Sequence, residues 1–317
     1  MSETPTATPS GLYEATRRGL LGEPRELPTV WLYDDRGSQL YEEITRLPGY
    51  YLPRRETQIL RSRSGEIAQR IGARTLVELG SGNARNTRFL LDALESAGSL
   101  ERFVPVDVSE EMLRTTAQAI GAAYPRIAVD EIVGDFERDL DALPQDGPRL
   151  IALLGSTIGN LYPQQRATLL TTLAGELGED DAVLLGLDLV KDVSRLEGAY
   201  HDATGVTEAF ARNALTHVNR ELDGTFEQEG FLYAPCWDPE HEWMDIGFRS
   251  VDEQTVSVRR LELELGFEKG DRLRVEVSTK FRREKFELEL RRAALRLESW
   301  WSDPERDFAV VLARPAS

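Results

Sequence analysis

A regular alternation of strand and helix patterns between residues 75 and 189 constrains the fold of this chain more than any other feature. Five stretches predict strands: TLVEL (75–79), RFVPV (102–106), IAVDEIV (127–133), LIALLG (150–155), which is apolar throughout, and AVLLGLDL (182–189). Strands that are apolar throughout need cover on both faces, which helices provide in a parallel sheet. The alternation therefore predicts a doubly wound, Rossmann-like α/β domain.

The pattern changes after residue 190, which predicts a second domain of α+β type. A helix over 205–222 precedes four stretches whose alternating apolar and polar residues favour antiparallel strands: FLYAPCW, EWMDIGFRS, QTVSVRRLELELGF and RLRVEVSTKF. A helix over 284–297 then leads to ESWW (298–301) and FAVVLA (308–313), a hairpin that would close the first sheet. We predict one domain of residues 54–189 plus 281–317, and another of residues 8–53 plus 190–280.

The charge of the chain argues against two classes of partner. Its 38 Lys and Arg residues are outnumbered by 55 Asp and Glu residues, so the formal net charge is −17. Nucleic acids and anionic membranes both favour basic surfaces. We therefore expect neither as a partner.

Cysteine and histidine usage bears on compartment and metal content. Cys236 is the one cysteine, so no disulfide forms within the chain, and the first residues lack the apolar segment of a secretion signal. These features predict a cytoplasmic protein, which we expect to be a monomer. The three histidines (His201, His217 and His241) have no metal-ligand spacing, and we expect no metal.

A glycine-rich turn follows the first strand, in the segment Glu78–Ala84. Gly80 and Gly82 allow a sharp turn and close approach of the backbone to a ligand. A dinucleotide site of the Gly-x-Gly-x-x-Gly type would need a third glycine where Arg85 stands. The turn alone is also compatible with an ordinary strand–helix connection, and an NAD-dependent oxidoreductase is a more distant alternative.

Acidic residues follow the second and third strands. Asp107 ends the second strand, where a carboxylate can accept hydrogen bonds from both ribose hydroxyls of a nucleoside. Asp135 and Phe136 follow the third, where an acid can accept from an exocyclic amine and a ring can stack on a purine. Each residue alone is compatible with a helix cap, a loop acid or a core aromatic. Together, at successive strand ends, they predict a nucleoside site.

The order of these motifs resembles that of class I methyltransferases that use S-adenosylmethionine (SAM). Longer blocks resemble the histidine Nα-methyltransferases of ergothioneine biosynthesis, and together they cover nearly the whole chain: 31–56, 76–88, 155–161, 185–192, 199–215, 274–281 and 300–310. The resemblance implies SAM as methyl donor, trimethylation of the α-amino group of L-histidine to hercynine, and a second domain that binds the substrate. A relative acting on another amine, such as tryptophan, and a non-catalytic SAM-binding regulator are the alternatives.

The resemblance also implies roles for individual residues. The cofactor positions are Gly80, Gly82, Asn86, Asp107, Asp135 and Phe136, with Asn86 where the family has a lysine. The positions implied to bind substrate are Tyr33, Tyr50, Gly155, Asn160, Tyr200, Ile246, Glu276 and Ser278. Among these, Asn160 and Tyr200 match residues that hold the carboxylate, and Glu276 and Ser278 match the pair that recognises the imidazole. Tyr33 is the candidate catalytic residue, as an orienting partner for the amine, and Ile246 replaces a methionine.

Overall fold

The computed structural model describes residues 9–316, which form two compact units. Among the described residues, the parallel-sheet unit comprises 52–190 plus 280–316, and the antiparallel unit comprises 9–51 plus 191–279. Residues 1–8 and 317 lie outside the described residues. The predicted start of the second domain, residue 8, is among them. The first part of the segment that was searched for a secretion signal is among them too.

Helices and strands alternate along most of the described chain. The α-helices within residues 9–316 are α1 (Pro9–Leu21), α2 (Asp35–Ile44), α3 (Leu52–Ile71), α4 (Arg88–Ser96), α5 (Glu110–Ala123), α6 (Pro163–Glu176), α7 (Val193–Tyr200), α8 (Val206–Leu222) and α9 (Arg283–Arg292). The strands there are β1 (Arg25–Glu26), β2 (Thr75–Leu79), β3 (Arg102–Asp107), β4 (Ala128–Val129), β5 (Ile132–Val133), β6 (Arg149–Leu153), β7 (Ala182–Asp188), β8 (Phe231–Tyr233), β9 (Cys236–Asp238), β10 (Trp243–Ser250), β11 (Gln254–Val258), β12 (Leu263–Phe267), β13 (Arg272–Thr279), β14 (Leu295–Ser302) and β15 (Phe308–Pro315).

The parallel-sheet unit contains one sheet with the strand order β14-β15-β7-β6-β2-β3-β4, and β5 also pairs with β3. Strands β2 to β7 run parallel, whereas β15 is antiparallel to both β7 and β14. Every residue of β2, β6 and β7 is buried, because helices cover both faces of a parallel sheet. The predicted α/β fold is confirmed.

One predicted strand and one predicted helix in this unit need correction. The stretch 127–133 forms two short strands rather than one, because the exposed charged residues Asp130 and Glu131 interrupt it. The last helix ends at Arg292 instead of 297, since Ala294 adopts the left-handed conformation with φ of 57°. Strand β14 therefore starts at Leu295, before the predicted ESWW segment.

The antiparallel unit is built on a sheet with the order β1-β13-β10-β8, and β9 also pairs with β10. The stretch 254–267 forms two strands, β11 and β12, rather than one, because a 3-10 turn over Arg259–Leu261 and a left-handed Glu262 reverse the chain. The stretch FLYAPCW is likewise divided into β8 and β9 at Ala234 and Pro235. Proline has no N–H to donate to a strand partner.

Within residues 9–316, none of the helices has the length and hydropathy needed to cross a bilayer.

Candidate active site

The glycine turn after β2 lies open at the end of the parallel sheet. Gly80 and Gly82 have φ angles of +67° and +47°, in the left-handed region that favours glycine. The amides of Gly80 and Ser81 donate to the carbonyl of Val106 over 2.8 and 3.1 Å, which fixes the turn against β3. Beyond its chain neighbours, no described atom lies within 4 Å of the place where a Cβ on Gly82 would stand. The backbone there is therefore accessible to a ligand.

Asp107, at the end of β3, is tied to the glycine turn. Its Oδ2 accepts a hydrogen bond from the Gly82 amide at 2.9 Å, and its Oδ1 accepts one from the Ser109 amide at 3.0 Å. A carboxylate offers about four acceptor positions, so acceptor capacity remains on both oxygens. The half-buried side chain can thus hold the turn and still receive donors from a ligand.

The loops after β5 and β6 reach the same turn. The Phe136 ring lies 3.7 Å, and the Thr157 methyl 3.9 Å, from the position that a Cβ on Gly80 would occupy. Asp135 is half-buried, and its Oδ1 accepts from the Glu137 amide at 3.0 Å. Three successive strand ends therefore converge on Gly80, as a ligand site in an open α/β sheet requires.

The loop after β6 has an unusual backbone and leads into a 3-10 turn. Gly155 and Ser156 both have positive φ angles, 71° and 62°. The Gly155 amide donates to Glu56 Oε1 at 2.8 Å, and Ser156 Oγ accepts from the Asp188 amide at 3.0 Å. The 3-10 turn spans Thr157–Asn160 and places Asn160, half-buried, at its end.

Two buried carboxyl groups lie behind the glycine turn. Burial raises the pKa of Glu56 to about 7 and that of Glu78 to about 8. Glu78 accepts a hydrogen bond from Thr87, while its Oε2 is buried and makes no hydrogen bond within residues 9–316. Glu56 Oε2 accepts from Asn86 Nδ2 at 2.6 Å. The amide of Asn86, a predicted cofactor position, is thus oriented by helix α3.

In the antiparallel unit, the predicted imidazole-binding residues share one face of β13. Glu276 lies directly opposite Ile246, and Ser278 lies opposite Met244, in the antiparallel pairing of β13 with β10. The register shifts at Gly247, where a Cβ would stand 2.2 Å from the Leu273 carbonyl oxygen. Such irregularities redirect neighbouring side chains. Ile246 is 3% exposed, so the residue facing Glu276 is fully apolar and buried.

Three tyrosines form a connected group that includes a contact with Ser278. The Tyr200 hydroxyl donates to Ser278 Oγ at 2.9 Å, and the Tyr233 hydroxyl donates to the Tyr200 carbonyl at 3.1 Å. The Tyr50 and Tyr200 rings pack edge to face with centroids 6.2 Å apart. Burial raises the pKa values of Tyr50 and Tyr233 well above the ordinary value, and the charge of Glu276 adds to both shifts. These phenols therefore stay protonated and can donate hydrogen bonds.

Tyr33 belongs to an aromatic cluster with two residues that the sequence analysis did not identify. Its ring lies 6.0 Å from Tyr41 and 5.4 Å from Phe210, both in edge-to-face geometry. The available signal was that Tyr41 and Phe210 fall within the blocks 31–56 and 199–215, which carry the family resemblance. Tyr233 lies outside every block and had no such signal.

Comparison with known proteins decides the family. A sequence profile described as histidine-specific methyltransferase, SAM-dependent, matches residues 12–315. The chain belongs to that family. The predicted family and the predicted methyltransferase class are therefore confirmed.

Individual relatives of this methyltransferase agree with the profile. It is 50% identical over 297 residues to the histidine N-alpha-methyltransferase of Mycolicibacterium smegmatis, covering 94% of this chain and 92% of that protein. It is 46% identical over 295 residues to the enzyme of that name from Mycobacterium tuberculosis, with 93% and 92% covered. It is 33% identical over 293 residues to ergothioneine biosynthesis protein 1 of Neurospora crassa, covering 88% of this chain and 32% of that protein.

SAM is the co-substrate of this methyltransferase family, and the parallel-sheet unit fits it. The backbone at Gly82 is open to close approach of a ligand, Asp107 retains acceptor capacity for hydroxyl groups, and Phe136 presents a ring beside Gly80. The predicted residues therefore form two groups. The parallel-sheet unit holds Gly80, Gly82, Asn86, Asp107, Asp135, Phe136, Gly155 and Asn160. The antiparallel unit holds Tyr33, Tyr50, Tyr200, Ile246, Glu276 and Ser278.

Proposed function

We propose that this protein methylates the α-amino group of L-histidine with SAM, in three transfers that end at hercynine. The two mycobacterial relatives are named for this reaction on histidine, which supports the proposal. The observation that carries the choice of substrate is a carboxylate, Glu276, whose charge acts on the buried tyrosines Tyr50 and Tyr233 and which lies opposite the apolar Ile246. Such a site suits a small ring that donates a hydrogen bond.

Recognition of the imidazole is assigned to Glu276 and Ser278. A carboxylate accepts strongly from an imidazole N–H, because the charge strengthens the hydrogen bond. A side chain without a donor, such as that of leucine or phenylalanine, would leave the carboxylate without that partner, at a cost of roughly 1–3 kcal/mol. Ser278 is held by Tyr200 and adds a second polar contact.

The carboxylate of the amino acid is assigned to Tyr200 and Asn160. The Tyr200 hydroxyl has one proton, which would turn from Ser278 Oγ to the substrate carboxylate when histidine binds. The Asn160 side-chain amide is the second donor, and a carboxylate accepts several hydrogen bonds. Gly155 lies in the same loop as Asn160, before the 3-10 turn that ends at Asn160. We assign its backbone to the lining of the same site.

SAM supplies an electrophilic methyl group on a positively charged sulfur. We assign the adenosine to Asp107, Asp135 and Phe136, and the backbone contacts to Gly80 and Gly82. Because the methyl transfer relocates a positive charge instead of creating one, alignment and exclusion of water matter most. Positioning of this kind contributes on the order of 7–11 kcal/mol in well-oriented reactions.

The amine must lose a proton before it can react, since an ammonium has no lone pair. Tyr33 is assigned to orient the amine by a hydrogen bond. A tyrosine phenol, with an ordinary pKa near ~10, is a poor base at neutral pH. We therefore assign the proton to bulk water.

The acidic charge of the chain bears on its partners and its compartment. The net charge of −17 supports the absence of nucleic-acid and membrane partners. We propose a cytoplasmic monomer that acts on a free amino acid.

Mass spectrometry tests the proposed reaction. The purified protein is incubated with SAM and a mixture of the twenty amino acids, and histidine alone should gain up to three methyl groups. Isothermal titration of histidine, tryptophan and tyrosine in the presence of S-adenosylhomocysteine ranks the ligands. Methylation of tryptophan in preference to histidine would overturn the substrate assignment. Binding of S-adenosylhomocysteine without any transfer would favour a regulator.

A further inference from the structure

Glu56 is a buried carboxylate that connects two loops of the parallel-sheet unit. It lies in the second turn of α3 and is 1% exposed. Its Oε1 accepts from the Gly155 amide at 2.8 Å and its Oε2 from Asn86 Nδ2 at 2.6 Å. Both partners are neutral, and a buried carboxylate with neutral partners destabilises a fold. The position of Glu56 therefore requires a reason other than stability.

Gly186 provides the space for this carboxylate. A Cβ at position 186, within β7, would stand 2.2 Å from Glu56 Oε1 and 3.2 Å from the Gly155 amide nitrogen. Glycine inside a strand weakens the strand and commonly marks a close approach. Strand β7 thus has no side chain at Gly186, the position where the Glu56 carboxylate contacts the Gly155 amide.

The turn that Glu56 contacts is strained. Ser156 has a φ of 62°, which is uncommon for a residue with a side chain. Such a conformation persists only when its surroundings hold it in place. The Asp188 amide binds Ser156 Oγ, and Glu56 binds the amide of Gly155. Two contacts therefore fix the turn immediately before Asn160.

The second loop is fixed through Asn86. While Nδ2 of Asn86 donates to Glu56, its Oδ1 accepts from the Thr57 hydroxyl at 2.7 Å. Two neighbouring residues of α3 thus orient one amide in the segment that follows the glycine turn.

We propose that Glu56 is a positioning residue for methyl transfer. By accepting hydrogen bonds from Gly155 and Asn86 together, it holds the turn before Asn160 and the segment after Gly82 in their ligand-binding conformations. The part that concerns Asn160 and histidine rests on the proposed function. The part that concerns SAM rests on the family alone.

Two substitutions at Glu56 separate positioning from packing. Glu56→Leu keeps a side chain of similar length and removes both acceptors. We expect affinity for S-adenosylhomocysteine to fall about 10-fold or more, as for other lost charge-assisted hydrogen bonds. We expect the melting temperature to stay constant or rise, because a buried charge is removed. Glu56→Gln keeps one acceptor oxygen and should recover part of the affinity.

Glu66→Leu is the matched control on the same helix. Glu66 lies on the solvent side of α3 and pairs with Arg63 and Arg70, so its replacement should leave ligand affinity unchanged. If Glu56 only packs, the melting temperature and the affinity of Glu56→Leu will fall together. That result, or wild-type affinity in Glu56→Leu, overturns the proposal.

Gly186→Ala gives an independent test that keeps the carboxylate. The added methyl would displace Glu56 from Gly155, so we expect a comparable loss of S-adenosylhomocysteine affinity. In the double variant with Glu56→Leu the losses should not add, since both act on one contact. If Glu56→Leu does not fold, wild-type affinity in Gly186→Ala overturns the proposal. A wild-type protein that binds S-adenosylhomocysteine but leaves histidine unmethylated contradicts the proposed function, and with it the part of this proposal that concerns Asn160, while the part that concerns SAM still stands.

Discussion

The hydroxyl of Tyr200 donates a hydrogen bond to Ser278 Oγ over 2.9 Å, and both residues are buried. This contact joins the last residue of α7 to strand β13. Because Ser278 lies two residues from Glu276, the contact also anchors the strand segment that carries the proposed imidazole-binding carboxylate. In the proposed site the one proton of the Tyr200 hydroxyl turns to the substrate carboxylate, and the hydroxyl oxygen then accepts from Ser278 and keeps the contact with the strand.

Removal of the Tyr200 hydroxyl should weaken histidine binding selectively. For Tyr200→Phe we expect the KM for histidine to rise about 10-fold, from the loss of one buried hydrogen-bond donor. Affinity for S-adenosylhomocysteine should not change. Steady-state kinetics and calorimetry measure the two quantities, and an unchanged KM for histidine would contradict the role of Tyr200.

Replacement of Glu276 should affect histidine far more than SAM. Glu276→Ala removes the acceptor for the imidazole N–H, and we expect histidine affinity to fall by roughly 2 kcal/mol or more. Glu276→Gln keeps a neutral acceptor oxygen and should lose less. Calorimetry with histidine and with S-adenosylhomocysteine provides the comparison. Equal losses for the two ligands would show that Glu276 does not recognise the ring.

Asp107→Ala should mainly weaken SAM binding. The substitution removes the acceptor for the Gly82 and Ser109 amides as well as the proposed acceptor for the ribose. We expect a loss of about 2 kcal/mol or more in affinity for S-adenosylhomocysteine. Asp107→Asn, which keeps one acceptor oxygen, should be milder. A larger effect on histidine than on the cofactor would contradict the assignment.

The buried carboxyl of Glu78 makes stability depend on pH. Its pKa is about 8 in the folded protein, against an ordinary value of 4.5, so the folded state holds this proton more tightly than the unfolded state. Glu78 then reduces stability by about 1.4 kcal/mol for each pH unit between those two values. We expect Glu78→Gln to melt close to wild type at pH 5 and at a higher temperature at pH 8.5. Differential scanning calorimetry without SAM measures the two melting temperatures. The same difference between Glu78→Gln and wild type at both pH values would contradict this expectation.

The ion pair of Lys280 and Asp188 should be essential to stability as a pair. The two side chains are both fully buried, with Nζ and Oδ2 2.8 Å apart. Lys280→Met leaves a buried carboxylate without this cation, and we expect a loss of about 3–5 kcal/mol in the free energy of unfolding. Adding Asp188→Leu to Lys280→Met should restore much of the lost free energy of unfolding, because no buried charge then remains at this position. Urea denaturation tests both, and equal instability of the single and double variants would argue against the pair.

The parallel sheet could be predicted because its strands carry the required pattern locally. All seven residues of β7 are buried and apolar apart from Asp188 at its end, so sequence and environment agree at each position. The two strands of 254–267 could not be separated in this way. After Val258 the adjacent Arg259 and Arg260 shift the apolar alternation by one position, which is also the pattern of a β-bulge in a continuous strand. The reversal made by the 3-10 turn and the left-handed Glu262 therefore had no distinct signal in the sequence.

The site was less accessible to sequence analysis than the fold. Strand periodicity alone makes Glu276 resemble a solvated polar residue, and only the family resemblance indicated its role. Glu56 was missed because it follows Arg54 and Arg55 on a helix, where a charged residue is ordinarily exposed. Its buried environment is formed by Gly186 and Gly155, which are distant in sequence. No local sequence pattern predicts contacts of this kind.

The place of β15 between β7 and β14 has a consequence for biosynthesis. Strand β7 emerges from the ribosome more than a hundred residues before β15, its antiparallel neighbour. During that interval the edge of β7, which is apolar up to Asp188, has no partner strand, and such edges recruit other chains. Completion of the sheet therefore waits until translation is almost over, and we expect nascent chains stalled between these strands to depend on chaperones.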